Sequence, residues 1–330
     1  MIKINKILII LIMLGGQYSQ AQTTNKMEEK NNPLLCDPVE GICGIPDSAT
    51  NSKVTVQETE KPIRVVYFTD PICSSCWGIE PQLRKLKLEY GDSIEFEYRM
   101  GGLLPDWSYN SGGISKPSDV AHHWDEVSIY YDMPIDGDVW LEDPLHSSYP
   151  PSIAFKAAQI QNNEKAILFL RTLREMVFLE KKNITKMEHL IAAAKKAGLD
   201  AEKLQADFEG KAKIEFEEDL NQTKKFGVRG FPTIFFFDKS GNNETVYGTK
   251  PYAAYESAIL KLYSAAPKNE YGKTWESLFE KFDSLTAKEF SELSGKHRKE
   301  GEKLLNVLSD QDILVKRTTK NGSLWKRKVY

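Results

Sequence analysis

The run Val65-Val66-Tyr67-Phe68-Thr69-Asp70 is almost wholly apolar or β-branched, and Pro71 breaks it. It predicts a strand ending at that proline. From Trp77 the pattern turns helical. Ile79, Leu83, Leu86 and Leu88 are interleaved with Glu80, Arg84, Lys85, Lys87 and Glu89. Ile94 to Met100 alternates with period two, as a strand with one buried face does, and Gly101-Gly102 ends it. Residues 116–225 then read almost entirely as helices: Val120 to Tyr131, a helix opened by Pro151, Ala166 to Leu179, Met187 to Ala197, and Ala201 to Phe226. Gly198-Leu199-Asp200 reads as a C-cap glycine followed by an N-cap aspartate. Strands return at Thr233 to Asp238 and, after the turn Ser240-Gly241-Asn242-Asn243, at Glu244 to Tyr247; Pro251 opens another helix. This order predicts an α/β fold, a small mixed sheet flanked by helices with a helical insertion between its halves.

Ala266-Pro267-Lys268-Asn269 reads as a linker. Beyond it, three short helical stretches (Leu278 to Asp283, Thr286 to Leu293, Gly301 to Leu308) precede two strands, Ile313 to Thr318 and Ser323 to Arg327. These strands flank Lys320-Asn321-Gly322, and Asn-Gly is a strong hairpin signal. The expectation is a small winged-helix-like module over 267–330, following a main domain over 62–266 whose insertion covers about 116–225. Residues 22–61 are polar and lack sustained periodicity, which predicts a flexible leader.

The first residues change the picture of where the chain works. Lys3 and Lys6 precede the apolar run Ile7 to Leu14, and Ser19-Gln20-Ala21 is a small-x-small site. Together they predict a signal peptide at 1–21, cleaved after Ala21, and a periplasmic or secreted product with no membrane span after cleavage. The formal net charge of -3 points to no polyanionic partner, so no nucleic acid is expected. The chain has four cysteines, Cys36, Cys43, Cys73 and Cys76. An even set in an exported chain is consistent with two disulfides in an oxidising compartment.

Cys73-Ser74-Ser75-Cys76 lies after the first strand, at a helix start. Unpaired backbone N–H groups and the helix dipole favour the Cys73 thiolate there, the form that attacks disulfides. No second cysteine pair follows Cys76, so a redox dithiol is preferred to half of a metal site, and no metal or other cofactor is required. Cys73 is expected to be the nucleophile and Cys76 the resolving thiol, with Ser74 and Ser75 able to hydrogen-bond the thiolate. Cys36 and Cys43 carry two open readings: a local structural disulfide, or an auxiliary redox pair on a tether of about twenty residues that reaches Cys73. Asp70 either relays protons to Cys76 or caps the strand end, the second being preferred. His122, His123, Trp77 and Trp124 read as surface or packing residues before groove residues. The hairpin bears Lys316, Arg317, Lys320, Lys326, Arg327 and Lys328. It reads as a contact for a protein or an envelope surface, or as a solvated hairpin.

Gly227-Val228-Arg229-Gly230-Phe231-Pro232-Thr233 precedes the Phe-rich strand. Paired with the CxxC, it resembles the thioredoxin fold, and the helical insertion narrows the resemblance to the DsbA-like branch. Asp70-Pro71-x-Cys73, His123-Trp124, Ser147-Ser148-Tyr149-Pro150 and Leu173-Arg174-Glu175 resemble the FrnE-like and ClpXP-adaptor-like members. The resemblance covers roughly 62–265. It implies that Pro232 is cis and faces Cys73 and Cys76, and that the Phe231 backbone, beside Gly230, pairs with an extended substrate strand. The expected function is an exported thiol–disulfide oxidoreductase acting on protein thiols and disulfides, with a redox partner protein. The adaptor-like relatives imply the alternative, a non-enzymatic protein-binding adaptor on the same fold.

Overall fold

Strand β3 (Ile63–Thr69) is buried along its whole length, as its β-branched and aromatic composition favours. In the computed structural model, which describes residues 36–37, 41–44, 60–108 and 115–328, β3 lies inside a four-stranded sheet. Its neighbours are β4 (Ile94–Met100), parallel to it, and β6 (Thr233–Asp238), antiparallel; β7 (Asn243–Tyr247) completes the order β4-β3-β6-β7. The parallel β3–β4 pair is joined by two helices, α1 (Ser74–Gly78) and α2 (Glu80–Tyr90). The sequence reads as one helix from Trp77. In the structure the break falls at Ile79, two residues before Pro81, whose missing N–H cannot continue a hydrogen-bond ladder.

The insertion holds α3 (Pro117–Tyr131), α4 (Val139–Glu142), α5 (Tyr149–Gln161), α6 (Asn163–Leu179), α7 (Met187–Lys196), α8 (Ala201–Glu209) and α9 (Lys211–Lys225). The single helix expected over Ala201 to Phe226 is two, divided at Gly210, whose φ -122 and ψ -105 leave the helical region. The expected caps between α7 and α8 are in place. Gly198 has φ +70, and Asp200 accepts from the N–H groups of Glu202 and Lys203 at 3.0 Å. Helix α10 (Tyr252–Leu262) packs against α2.

The chain ends in α11 (Trp275–Lys281), β8 (Ser284–Thr286), α12 (Ala287–Ser294), α13 (Arg298–Asp310), β9 (Leu314–Thr319) and β10 (Gly322–Arg327). The three helices and the hairpin follow the sequence pattern. Strand β8 does not: three residues at a helix N-cap are too short for a periodic signal, yet they make β8-β10-β9 a three-stranded sheet. This unit has its own apolar core, with Phe290, Leu305 and Trp325. The alternation of β10 ties it to the rest, because Trp325 faces that core and Leu324 joins the main one.

The basic hairpin is not a free cationic surface. Arg317 pairs with Glu180 at 2.8 Å, Lys320 with Asp125 and Asp138 at 2.5 and 2.9 Å, and Lys326 with Glu175 at 2.8 Å. These partners lie on the insertion, so the hairpin's charges dock it against α3, α4 and α6. On the module side, Arg171 donates to Glu289 at 2.7 and 3.1 Å and Arg84 lies 3.3 Å from the same carboxylate.

Residues 22–61 differ from expectation in part. Cys36–Asp37 (β1) and Ile42–Gly44 (β2) form strands, and β2 continues onto β5 (Gly230–Phe231) in the order β1-β2-β5. Proline and glycine make this stretch read as a loop. Its strand character comes from a distant sheet edge that local sequence does not report. Residues 1–35 lie outside the described residues.

Candidate functional site

Pro71 ends β3 and Cys73 caps α1, so the chain turns from sheet to helix with the CxxC at the corner. Cys73 has φ -74 and ψ 110, outside the helical region, and its Sγ accepts from the Cys76 N–H at 3.2 Å. Both cysteines are free thiols and fully buried. The Phe231–Pro232 bond is cis, as the resemblance implied. The Phe231 ring turns inward and is fully buried. It lies over Gly101, where a Cβ would come 1.8 Å from a ring carbon. Side-chain identity at 231 therefore serves the core, and β5 meets its neighbour strand through its backbone.

That backbone is already paired. In the antiparallel β2–β5 ladder, Cys43 lies opposite Phe231 and Gly44 opposite Gly230. Gly230 is needed for so close an approach, since a Cβ there would lie 2.6 Å from the Cys43 carbonyl oxygen. At its other end β2 is held by Gly41, whose carbonyl accepts from the Thr249 N–H at 2.6 Å and from Thr249 Oγ1 at 3.0 Å. Gly41 has φ +69, the left-handed region that favours glycine. The seated segment brings Cys43 Sγ to 3.4 Å from Cys73 Sγ and 3.5 Å from Ser75 Oγ. Cys43 is disulfide-bonded. Cys36, the remaining cysteine of the chain, stands opposite it in the β1–β2 ladder.

Electrostatics at the pair differ from the expectation of a Cys73 thiolate. Burial pushes the Cys73 thiol well above its ordinary value, and the adjacent Cys76 and Asp70 reinforce the rise. Burial acts on Cys76 in the same direction. There, however, the hydrogen bond from Cys73 and the charge of Arg174 outweigh it, so Cys76 is lowered. In this closed arrangement Cys76 is the better thiolate, and the helix-start effect on Cys73 is overridden by desolvation. Ser75 does not hold the Cys73 sulfur either; its hydroxyl pairs with Tyr131 at 2.7 Å and meets Cys43.

Arg174 is the site residue that residue-type reasoning missed. It is fully buried on α6, donates to Thr69 Oγ1 at 2.7 Å and the Asp70 carbonyl at 3.3 Å, and pairs with Glu80. An arginine inside the apolar-spaced run of α6 was the available signal.

Asp70 follows the capping reading. Oδ1 accepts from the Ile72 N–H at 3.0 Å, and Oδ2 accepts from Leu103 N–H and Ser148 Oγ at 2.8 Å each. Burial raises its pKa from 3.8 to about 6, while those hydrogen bonds and Arg174 oppose the rise. A carboxyl whose folded pKa lies above the unfolded one favours the native state at low pH, and this contribution is lost as pH rises through the folded value. Relative to Asp70→Asn, the wild type is therefore expected to lose about 3 kcal/mol of stability between pH ~4 and ~6 and little beyond. Urea unfolding of both proteins across that range checks this; a gap that does not change with pH contradicts it.

The other candidates pack. Trp77 stacks on Phe178 and donates to the Pro134 carbonyl at 3.0 Å; Trp124 meets Trp140 and Phe178. His122 is exposed beside Glu126 at 3.2 Å. Among the described residues no group of three or more His, Cys, Asp or Glu is placed to hold a metal, and no helix is long and apolar enough to cross a membrane.

Residues 67–257 match the family model described as thioredoxin. The ClpXP adapter protein SpxH of Halalkalibacterium halodurans is 34% identical over 306 residues, 91% of this chain and 99% of that protein. SpxH of Bacillus subtilis is 29% identical over 81% of this chain and 90% of its own length. A solved structure, a putative protein disulfide isomerase from Nitrosomonas europaea, superposes with TM-score 0.53 at 20% identity, over 61% of this chain and 97% of that one, and shares the fold. These relatives correct two expectations. The main functional reading, an exported thiol–disulfide oxidoreductase, gives way to its alternative, because relatives aligned along nearly the whole chain are named as adapters. The periplasmic or secreted location falls with it, since an adapter role for ClpXP does not fit an exported oxidoreductase; Ala21 and the segment before it lie outside the described residues. The chain belongs to the thioredoxin family, in the branch that holds the SpxH adapters.

Proposed function

We propose that this protein is a protein-binding adaptor of the SpxH kind, which brings a protein partner to a ClpXP-type protease. The observation that carries this reading is the 34% identity to an SpxH adapter over 91% of the chain. An adapter must present recognition surfaces in fixed relation. The charge network of Arg171, Glu289, Glu175 and Lys326, which holds the last sixty or so residues against α6, suits that demand. The edge of β5, which β2 fills in this structure, has the form of a strand-addition site, where main-chain hydrogen bonds give affinity. Gly230, Phe231 and Pro232 are proposed as its binding edge, with Cys73 and Cys76 as a redox-sensitive pair beneath it.

Binding and chemistry separate on substitution. Under reducing conditions purified ClpX is expected to co-elute with the full chain and to do so equally with Cys73→Ser, because adaptor contacts need no sulfur chemistry. Failure of the wild-type chain to co-elute with ClpX under reducing and oxidising conditions would overturn the reading.

A further inference from the structure

Strand β2 is seated on the groove in the manner of a bound peptide. Three independent features fix it there: the ladder to Gly230 and Phe231, the clamp of Gly41 on Thr249, and contact between Cys43 Sγ and Cys73 Sγ. Reacting atoms about 3–3.5 Å apart are at the distance of a near-attack arrangement, and the two sulfurs stand 3.4 Å apart. The sulfur so placed is in a disulfide, which is what a thiol attacks.

We propose that the segment carrying Cys43 is a built-in occupant of the groove, and that Cys73 and Cys76 exchange disulfide with Cys36 and Cys43 within one chain. The resulting redox state decides whether the groove is open to a protein partner. The gating part rests on the adaptor reading; the exchange does not.

In the first step Cys73, its proton released to solvent, attacks Cys43 Sγ. The Cys73–Cys43 bond forms and the Cys43–Cys36 bond breaks, and Cys36 leaves as a thiolate that takes up a proton. In the second step Cys76, deprotonated to solvent, attacks Cys73. The Cys73–Cys76 bond forms, and Cys43 leaves as a thiolate and is protonated. Two electrons pass from the Cys73/Cys76 dithiol to the Cys36–Cys43 disulfide, and the two protons of the first pair are balanced by two on the second. No external oxidant or reductant enters. Because both pairs belong to one chain, the reaction is first order and its effective concentration is set by the chain itself. Reduction of Cys43 removes the covalent link to β1 and loosens β2 on β5, freeing the edge.

Disulfide mapping tests the exchange on the full chain, by acid quench, alkylation and peptide mass spectrometry. Cys76→Ala is expected to accumulate a Cys43–Cys73 disulfide with Cys36 alkylated, at a rate unchanged over about a tenfold dilution. As a second measurement that needs no variant, the wild-type chain poised with one disulfide per molecule should contain both the Cys36–Cys43 and Cys73–Cys76 forms. Finding only Cys36–Cys43 in both proteins, or Cys43–Cys73 links formed only between chains, overturns the exchange. ClpX binding by the two wild-type redox forms then tests the gate. Equal binding by both overturns the gating, whereas absence of binding in every form sinks the adaptor reading and leaves the exchange standing.

Discussion

Replacing Arg174 by methionine is expected to cost about 3–5 kcal/mol of folding stability, and to move the Cys76 thiol upward. Methionine keeps much of the length of the side chain, so the loss is chiefly of charge and hydrogen bonds. Thr69 Oγ1 and the Asp70 carbonyl would each lose a donor inside the core, and Glu80 would lose its nearest cation. Glu80 keeps Arg84, 4.0 Å away, which places the cost toward the lower end. The guanidinium also favours the Cys76 thiolate against burial, so its removal lets desolvation dominate. Urea unfolding reads the first effect, and thiolate absorbance against pH, in a Cys73→Ser background, reads the second. Unchanged stability with an unmoved Cys76 titration would show that Arg174 does neither.

Glu289→Ala is the second large effect. This carboxylate is fully buried, accepts from two nitrogens of Arg171 and from the Thr286 N–H at 2.7 Å, where it closes the capping box of α12, and forms an ion pair with Arg84 at 3.3 Å. Its loss leaves two partly buried guanidinium groups short of a partner at the seam where the C-terminal unit meets α2 and α6. Removing one member of such a cluster costs about 3–5 kcal/mol. Part of that is expected to appear as undocking, with faster proteolysis in the stretch 264–274. Glu289→Gln should cost less, because the amide oxygen still accepts from Thr286 and one arginine. A midpoint and a cleavage rate both equal to wild type would contradict the assigned role.

What the sequence reported, and what it did not, divides by range of interaction. The strand before Pro71, the CxxC at a helix start, the Gly198–Asp200 caps and the Asn-Gly hairpin are local, and each is where its residues predict. The cis bond before Pro232 was legible only through resemblance. The seat of β2 was not legible at all. A three-residue strand flanked by glycine and proline has no period to detect, and its pairing depends on a bare Gly230 far downstream. Arg174 and Glu289 were hidden for a related reason: a charge in an apolar helix face announces burial but not its partners. The hairpin's lysines and arginines read as an outward surface because their acids, on α3, α4 and α6, are remote in sequence. The thiolate assignment was reversed by burial under β2, which acts against the helix start. Export and oxidoreductase function were inferred from the first residues and the CxxC, and the SpxH relatives correct both.

Whether this chain is a binding protein is measured most directly by its affinity for ClpX, in the wild-type chain and in the Cys73→Ser/Cys76→Ser double variant, both fully reduced. A defined Kd for the wild type, matched within about threefold by the double variant, is the predicted result. No binding by the wild type, or binding that vanishes with the two sulfurs, would contradict it.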